Sequence, residues 1–577
     1  MLNLNPSPVR VSTEAARKLP RLVLLTLLTV FILVGLFSRD LWSSQESRML
    51  AEVLAMVSGD PATWLFPIAS GEVITEHGPL AAWLAAFFVS ITPDFISQIW
   101  AMRLAAIVWF VITTASIWYG TWFLARRREA QPIMQPFGRE AAYREYGRLV
   151  ADTATLFFVS IFGLVIKNHE ATVETVELAF GALAYLGCAW SLTRPYWGAA
   201  LAGLASGALI LSSSLLSGVT VLTGCVLSYI LAHGIGRLDR KVITTVATAF
   251  VVFSLWPAAS YLFAREVAGD YFNLWAQTQA EIFGFINLAE LGWLAKHFIW
   301  YLCPTWPFAV WAVWVWRKSL SVTQIAMPLA FCAAWVLGFC LSDQISAETL
   351  LCVIIAPLCT LAAFGLMSTR AESKSMLECF AIAVFSLALI GVWVYWIAWT
   401  LGWPTKMHYS ILRLVADESE AHCAWYGVIA ALAALALWVV LCVRRLWKRS
   451  IAFWSGPWLS AVGLTVLWIT MIGLWEPAID SNRTYRSIAA EVKNAAVALH
   501  YIPGADCLQS TKLNLSERSA ISWHSGLTIV HTPNPVCRFY IDKYSADDAQ
   551  GAPSANSTIA IESFRPRSDI RYRVGAF

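Results

Sequence analysis

Residues able to do chemistry are concentrated outside the long apolar runs, and above all in Asp40 to Leu80. This stretch mixes Glu46, Arg48, Glu76 and His77 with Trp42 and Trp64, so it belongs in water beside a membrane. Carboxylates of this kind suit proton transfer, and a guanidinium suits a two-point grip on an anionic oxygen. A second segment, Lys167 to Glu174, sets Lys167, His169, Glu170 and Glu174 at the edge of an apolar run. Such a grouping is costly there unless its members face water or one another.

The elements that must position these groups follow from periodicity. Ser43-Ser44-Gln45-Glu46 followed by Met49, Leu50, Val53, Leu54 and Val57 predicts a short amphipathic helix, ended by Gly59-Asp60-Pro61. Ser43 and Glu46 also have the spacing of a capping box, and Arg48 and Glu52 that of a pair one helical turn apart. Around them, 58% of the 577 residues are hydrophobic and 14% are charged, with a mean hydropathy of +0.61. That composition predicts a polytopic α-helical membrane protein.

About thirteen transmembrane helices are expected, near 21–38, 100–125, 150–166, 174–192, 196–212, 215–233, 242–263, 298–316, 325–341, 349–367, 378–400, 424–444 and 452–474. Lys and Arg then fall on one side, as in Arg126-Arg127-Arg128, Arg317-Lys318 and Arg444-Arg445, which puts the N-terminus in the cytoplasm and the C-terminus outside. The pattern holds only if Pro79 to Ile91 does not cross. Residues 39–99 then form a first periplasmic loop with juxtamembrane helices, and the first apolar run is a retained span without a cleavage motif. The net charge of +4 is accounted for by the basic loops and gives no reason to invoke nucleic acid.

Residues 1–475 form the transmembrane domain. From 476 to 577 the composition becomes that of a small α/β domain, with helices at Thr484–Leu499 and Ser516–Ser525 and short strands between and after them. Cys507 and Cys537 lie in this part and would be able to form a disulfide if it is periplasmic. The other cysteines show no metal-like spacing and read as apolar packers.

Trp42-x-x-Gln45-Glu46-x-Arg48, Ser58-Gly59-Asp60-x-x-x-Trp64-Leu65-x-Pro67 and Gly71-Glu72-x-x-x-Glu76-x-Gly78-Pro79-Leu80 together resemble a known family. It is that of the C-type glycosyltransferases using polyprenyl-phosphate sugars, in the lipid A aminoarabinose transferase branch related to protein O-mannosyltransferases. Arg483-x-Tyr485-Arg486 and Leu513-x-Leu515-Ser516-Glu517-Arg518-x-Ala520 are similar to its periplasmic domain. Gln45 stands at the family's aspartate, His77 at its lysine and Glu174 where an aspartate is usual. Ser212-Ser213-Ser214 and Ser342–Thr349 lack the basic residues expected there.

The resemblance implies transfer of a sugar from a polyprenyl (undecaprenyl) phosphate donor to a lipid A-like acceptor at the periplasmic face of a bacterial inner membrane. It implies Glu46, Glu76 and Glu174 as catalytic carboxylates, Arg48 and His77 as donor-phosphate ligands, and membrane lipids as partners. Lys296, Lys406 and Arg413 are reserve cations. A divalent metal on Glu46, Glu174 and His169 is a further expectation, although their spacing is no standard metal motif. Gln45 does not titrate and cannot be a base. Alternatives are a catalytically degenerate member that binds lipid or a partner, and a transferase with a protein or other glycan acceptor. A transporter is disfavoured, because the spans are nearly free of ionisable groups and no inverted repeat is evident.

Overall fold

The computed structural model describes residues 7–133, 140–233, 240–286, 288–342, 350–369, 371–413, 415, 425–448, 452–531, 537–545, 557–562 and 569–577. A helix coincides with each expected span. Among the described residues, eight helices are long and apolar enough to cross a membrane. A ninth is added if Leu288–Tyr301 and Thr305–Val315, bent by 99°, count as one span. Arg21–Leu33, Leu215–Leu231 and Ile355–Met367 are shorter apolar helices, and Tyr143–Val159 begins with a polar turn. The chain is a multi-pass membrane protein.

Leu80–Ile91 has 12 residues. At about 1.5 Å per residue it reaches roughly 18 Å, short of a hydrocarbon core of about 30 Å. Its buried alanine face, Ala81, Ala82, Ala85 and Ala86, packs against the loop helix Ser44–Ser58 and the second span, Gln98–Ala125. This is the layer on which the candidate site is built. Val173–Trp190 packs between Gln98–Ala125 and Pro195–Ser212 and brings its acidic first turn to the same level.

Between the loop helix and Leu80–Ile91 the chain makes a small hairpin, β1 (Ile68–Ala69) against β2 (Glu72–Val73), paired antiparallel. Its two turn residues, Ser70 and Gly71, both have positive φ, 48° and 76°. A type I′ turn requires this at both central positions, which glycine meets at little cost.

The last apolar helix, Ser455–Arg483, continues past the change of composition at 476. Beyond it lie helix Arg486–Ala498, β3 (Leu508–Gln509), helix Leu515–Ser525, β4 (Ile529–Val530), β5 (Phe539–Ser545), β6 (Ser557–Ile561) and β7 (Ile570–Ala576). The sheet order is β4-β3-β5-β7-β6, with β3 parallel to both neighbours and β5, β7 and β6 antiparallel. Its core includes Ile488, Val492, Leu508, Ile521, Ile529, Phe539 and Val574. Cys507 and Cys537 are disulfide-bonded.

This α/β unit docks on the first loop. Arg518 is paired with Glu72, and the Ser70 and Ser519 hydroxyls are 3.2 Å apart. Arg486 donates to Asp40 at 2.9 Å, and His524 lies 3.4 Å from the same carboxylate. Two of the three arginines in the tail motifs, Arg486 and Arg518, therefore tie the unit to the first loop.

Candidate functional site

The loop helix starts at Ser43, whose hydroxyl accepts from the Glu46 N–H at 3.1 Å. Only half of the expected capping box forms, because the Glu46 carboxylate turns inward. Arg103 donates to it twice, Nε to Oε1 at 2.7 Å and Nη2 to Oε2 at 2.8 Å. Arg39 adds a contact at 3.3 Å. Arg103 also donates to the carbonyls of Leu36, Arg39 and Asp40. Burial alone would push the Glu46 carboxyl up, but the Arg103 and Arg39 charges and the Arg103 hydrogen bonds hold it below the usual range. Both Glu46 oxygens are thus committed to fixing the loop helix.

Arg48 does not pair with Glu52, one turn further on. Its Nη2 donates to Glu76 Oε2 at 2.7 Å, so two of the candidate residues meet. Helix Arg265–Ile282 holds the Glu76 loop in place. Tyr271 donates to the Ile74 carbonyl at 2.9 Å, and the Thr75 and Thr278 hydroxyls are 2.7 Å apart. The Gln279 amide donates to the carbonyls of Thr75 and Glu76 at 3.0 and 3.2 Å, while its oxygen accepts from Leu215 N–H. His77, next in the chain, sets Nε2 3.6 Å from Glu52 Oε2.

Glu174, in the first turn of Val173–Trp190, accepts from Lys167 at 2.8 Å. Glu177, one turn deeper, accepts from Ser213, a member of the serine run that lacks the expected basic residue. Glu170 lies 3.6 Å from Arg39; burial pushes its carboxyl up to about 7, and the nearby Glu46 charge adds to this. The Glu76 loop and the 167–177 segment share one electrostatic neighbourhood: Glu174, Glu76 and Arg48 all act on His77.

The expected metal ligands do not fit an ion. His169 has both ring nitrogens against backbone carbonyls, Nδ1 2.5 Å from Val165 O and Nε2 2.6 Å from Phe31 O. Burial, opposed by those contacts, lowers its pKa to about 4. Glu46 is taken by arginines and Glu174 by Lys167. No group of three His, Cys, Asp or Glu side chains among the described residues is arranged to hold a metal. Gln45 is exposed on the first turn of the loop helix, outside the Glu46 clamp. The reserve cations Lys296, Lys406 and Arg413 are exposed too; the acidic cluster Asp417-Glu418-Glu420, which the sequence reads as a solvated loop, lies outside the described residues.

A cavity of about 810 Å³ opens on the Ser43 and Glu170 side of the site, and Arg48, Glu76, His77, Lys167 and Glu174 are not part of its wall. Its wall is mainly apolar, with Trp42, Tyr395, Trp468 and Trp475, and its polar members include Ser43, Glu170 and Arg483. Trp42 is fixed there by donating its indole N–H to Asp480.

The chain's fold matches two crystal structures of ArnT from Cupriavidus metallidurans. One, bound to undecaprenyl phosphate, gives a TM-score of 0.66; the other, in the apo state, gives 0.62. Each match covers 96% of this chain and 97% of that chain, at 14% sequence identity. The fold is that of ArnT. No family model matches the sequence, and no curated protein matches it either. The match to ArnT is therefore one of backbone architecture, and the side chains at the site must be read on their own terms.

Several site-forming residues escaped the sequence reading. Arg103 carried a signal, a lone arginine early in an apolar span. Asp40 and Asp480 sit at the ends of apolar runs, where carboxylates are ordinary. Glu52 looked like the i+4 partner of Arg48, and Gln279 was one polar residue among many in its loop.

Proposed function

We propose that the chain is a membrane glycosyltransferase that moves a sugar from a polyprenyl phosphate to a lipid A-like acceptor at the periplasmic face of a bacterial inner membrane. The observation that carries this reading is the ArnT fold over 96% of the chain, in a neighbour whose crystal structure contains undecaprenyl phosphate. The chain's own residues support it, because charged groups gather at the membrane surface beside an aromatic-lined cavity suited to an isoprenoid chain.

In the transfer the acceptor oxygen bonds to the anomeric carbon. The bond from that carbon to the donor phosphate oxygen breaks, and polyprenyl phosphate leaves with the electron pair. Arg48 and Lys167 would offer cationic donors to the phosphate, since charge-assisted hydrogen bonds are stronger than neutral ones. His77 would add a third phosphate contact. Glu76 and Glu174 are the carboxylates that would receive a proton if the acceptor is a hydroxyl. A phosphate acceptor is already anionic and needs no base, which would make Gln45 tolerable at the family's aspartate position.

Mass spectrometry of lipid A and other envelope glycolipids, from cells with and without the protein, tests the reading. A sugar-sized mass is expected to vanish without the protein and in an Arg48→Ala variant that still inserts into the membrane; its loss in Glu174→Gln as well would mark a hydroxyl acceptor, and its persistence there a phosphate acceptor. An unchanged profile would overturn the lipid A acceptor and favour a protein or other glycan acceptor, or a non-catalytic lipid binder.

A further inference from the structure

Glu52 is the least explained charged residue in the first loop. It is 1% exposed, and neither carboxyl oxygen has a hydrogen-bond partner among the described residues. A bare carboxylate in such a place is costly, and an apolar side chain of similar size would serve the packing better. The cation on its own helix, Arg48, is paired with Glu76 instead. His77 faces it, with Nε2 3.6 Å away, and the neighbouring Tyr271 hydroxyl is committed to the Ile74 carbonyl. The other ring nitrogen, Nδ1, is 3.2 Å from the Gly78 carbonyl. A proton on Nδ1 suits that carbonyl and leaves the Nε2 lone pair facing Glu52, so the partners define the tautomer.

This loop is held from both sides. Gln279 binds the carbonyls of Thr75 and Glu76, and Gly78 lies so close to Leu211 that a Cβ would come 2.2 Å from its carbonyl oxygen. The surrounding charges are accounted for. Arg48, Glu76 and Glu174 act on the imidazole. Arg103, on the second span, is committed to Glu46, while Arg518 and His524, on the helix packed over the loop helix, face Glu72 and Asp40.

We propose that Glu52 is a buried proton source for His77: its carboxyl proton passes to His77 Nε2 while Nδ1–H stays on the Gly78 carbonyl, and the imidazolium so formed offsets the charge of the departing phosphate. The inference rests on the polyprenyl-phosphate reading above. As the bond between the anomeric carbon and the phosphate oxygen breaks, the negative charge growing on that oxygen draws the proton from Glu52 to Nε2. When polyprenyl phosphate has left, the proton returns from Nε2 to Glu52, which restores both groups for the next turnover. The resting state has the proton in place, because burial, opposed by the Arg48 charge, pushes the Glu52 carboxyl from its ordinary 4.5 up to about 8. Burial likewise lowers His77, keeping it neutral. The folded state then binds more protons at Glu52 than the unfolded state does, so its share of stability falls as pH rises from 4.5 to about 8. Thermal unfolding against pH should show part of that decline removed in Glu52→Gln.

The deciding test is infrared difference spectroscopy on the full-length protein in lipid nanodiscs, with undecaprenyl phosphate as probe and its binding measured in parallel. At neutral pH a protonated-carboxyl band is expected in the wild type and reduced in Glu52→Gln, the remainder belonging to other buried carboxyls such as Glu170. Bound undecaprenyl phosphate, the leaving group itself, should deplete the Glu52-dependent part of the band, and His77→Asn should keep that part but abolish its depletion. A wild-type band that ignores bound undecaprenyl phosphate, or no band dependent on Glu52, overturns the relay alone. Should Glu52→Gln fail to fold, the comparison of wild type with His77→Asn decides in the same way. Wild-type protein that does not bind undecaprenyl phosphate overturns the polyprenyl reading and the relay with it.

Discussion

Glu46 has the residue type and position of a catalytic carboxylate, yet its surroundings give it other work. With two arginines on its oxygens and no exposure, it locks the loop helix to Arg39 on one side and to the second span on the other. Removing one partner of a buried ion pair leaves an uncompensated charge and typically costs about 3–5 kcal/mol. Glu46→Ala should therefore lower the thermal unfolding temperature in detergent and reduce the yield of folded protein. Arg48→Ala, which breaks a partly exposed pair, should change stability by no more than about 1 kcal/mol. A Glu46→Ala protein as stable as the wild type would show that the clamp is not structural. The sequence revealed Glu46, Arg48, Glu76, His77 and Glu174 as polar residues in the right layer. It did not reveal their partners, because Arg103 is 57 positions from Glu46 and Glu76 is 28 from Arg48.

At the scale of elements, the site is a loop pressed between helices that are distant in sequence. The Thr75–Gly78 segment has little regular structure of its own. Its position comes from helix Arg265–Ile282 through Tyr271, Thr278 and Gln279, and from the end of Pro195–Ser212 through Leu211. Gly78→Ala should push the loop off Leu211, since a side-chain carbon cannot sit 2.2 Å from a backbone oxygen. The expected outcome is a membrane-inserted protein with sharply reduced sugar transfer, checked by glycolipid mass spectrometry beside a thermal melt. Full transfer by this variant would mean that the loop need not be held so closely. Helices and strands were legible because apolar periods of 3.6 and 2 residues are local properties. Both C-terminal helices lie within a few residues of their expected places, and strands fall between and after them. The bend of 99° between Leu288–Tyr301 and Thr305–Val315 was not legible. The expected single span near 298–316 begins in one of these helices and ends in the other.

At the scale of the whole molecule, the basic loops and the apolar runs give a topology that can be checked directly. A phosphatase that is active only in the periplasm should be active when fused after Phe577 and inactive when fused within the Arg126–Arg128 loop. The opposite pattern would invert the orientation and put the first loop on the cytoplasmic side. By itself the sequence determined that this is a multi-pass membrane protein, where its helices run, that a small α/β unit follows them, and which surface segments are rich in charge. These are properties of composition and short-range periodicity, and burial in lipid enforces them strongly. Only the tertiary structure decided that Glu46 serves the scaffold, that His169 is closed to a metal, that Arg48 meets Glu76, and that Glu52 lies bare beside His77. The reason is physical: the fate of a charged side chain depends on the charges that folding brings within a few ångströms of it, and here those come from elements far apart in the chain.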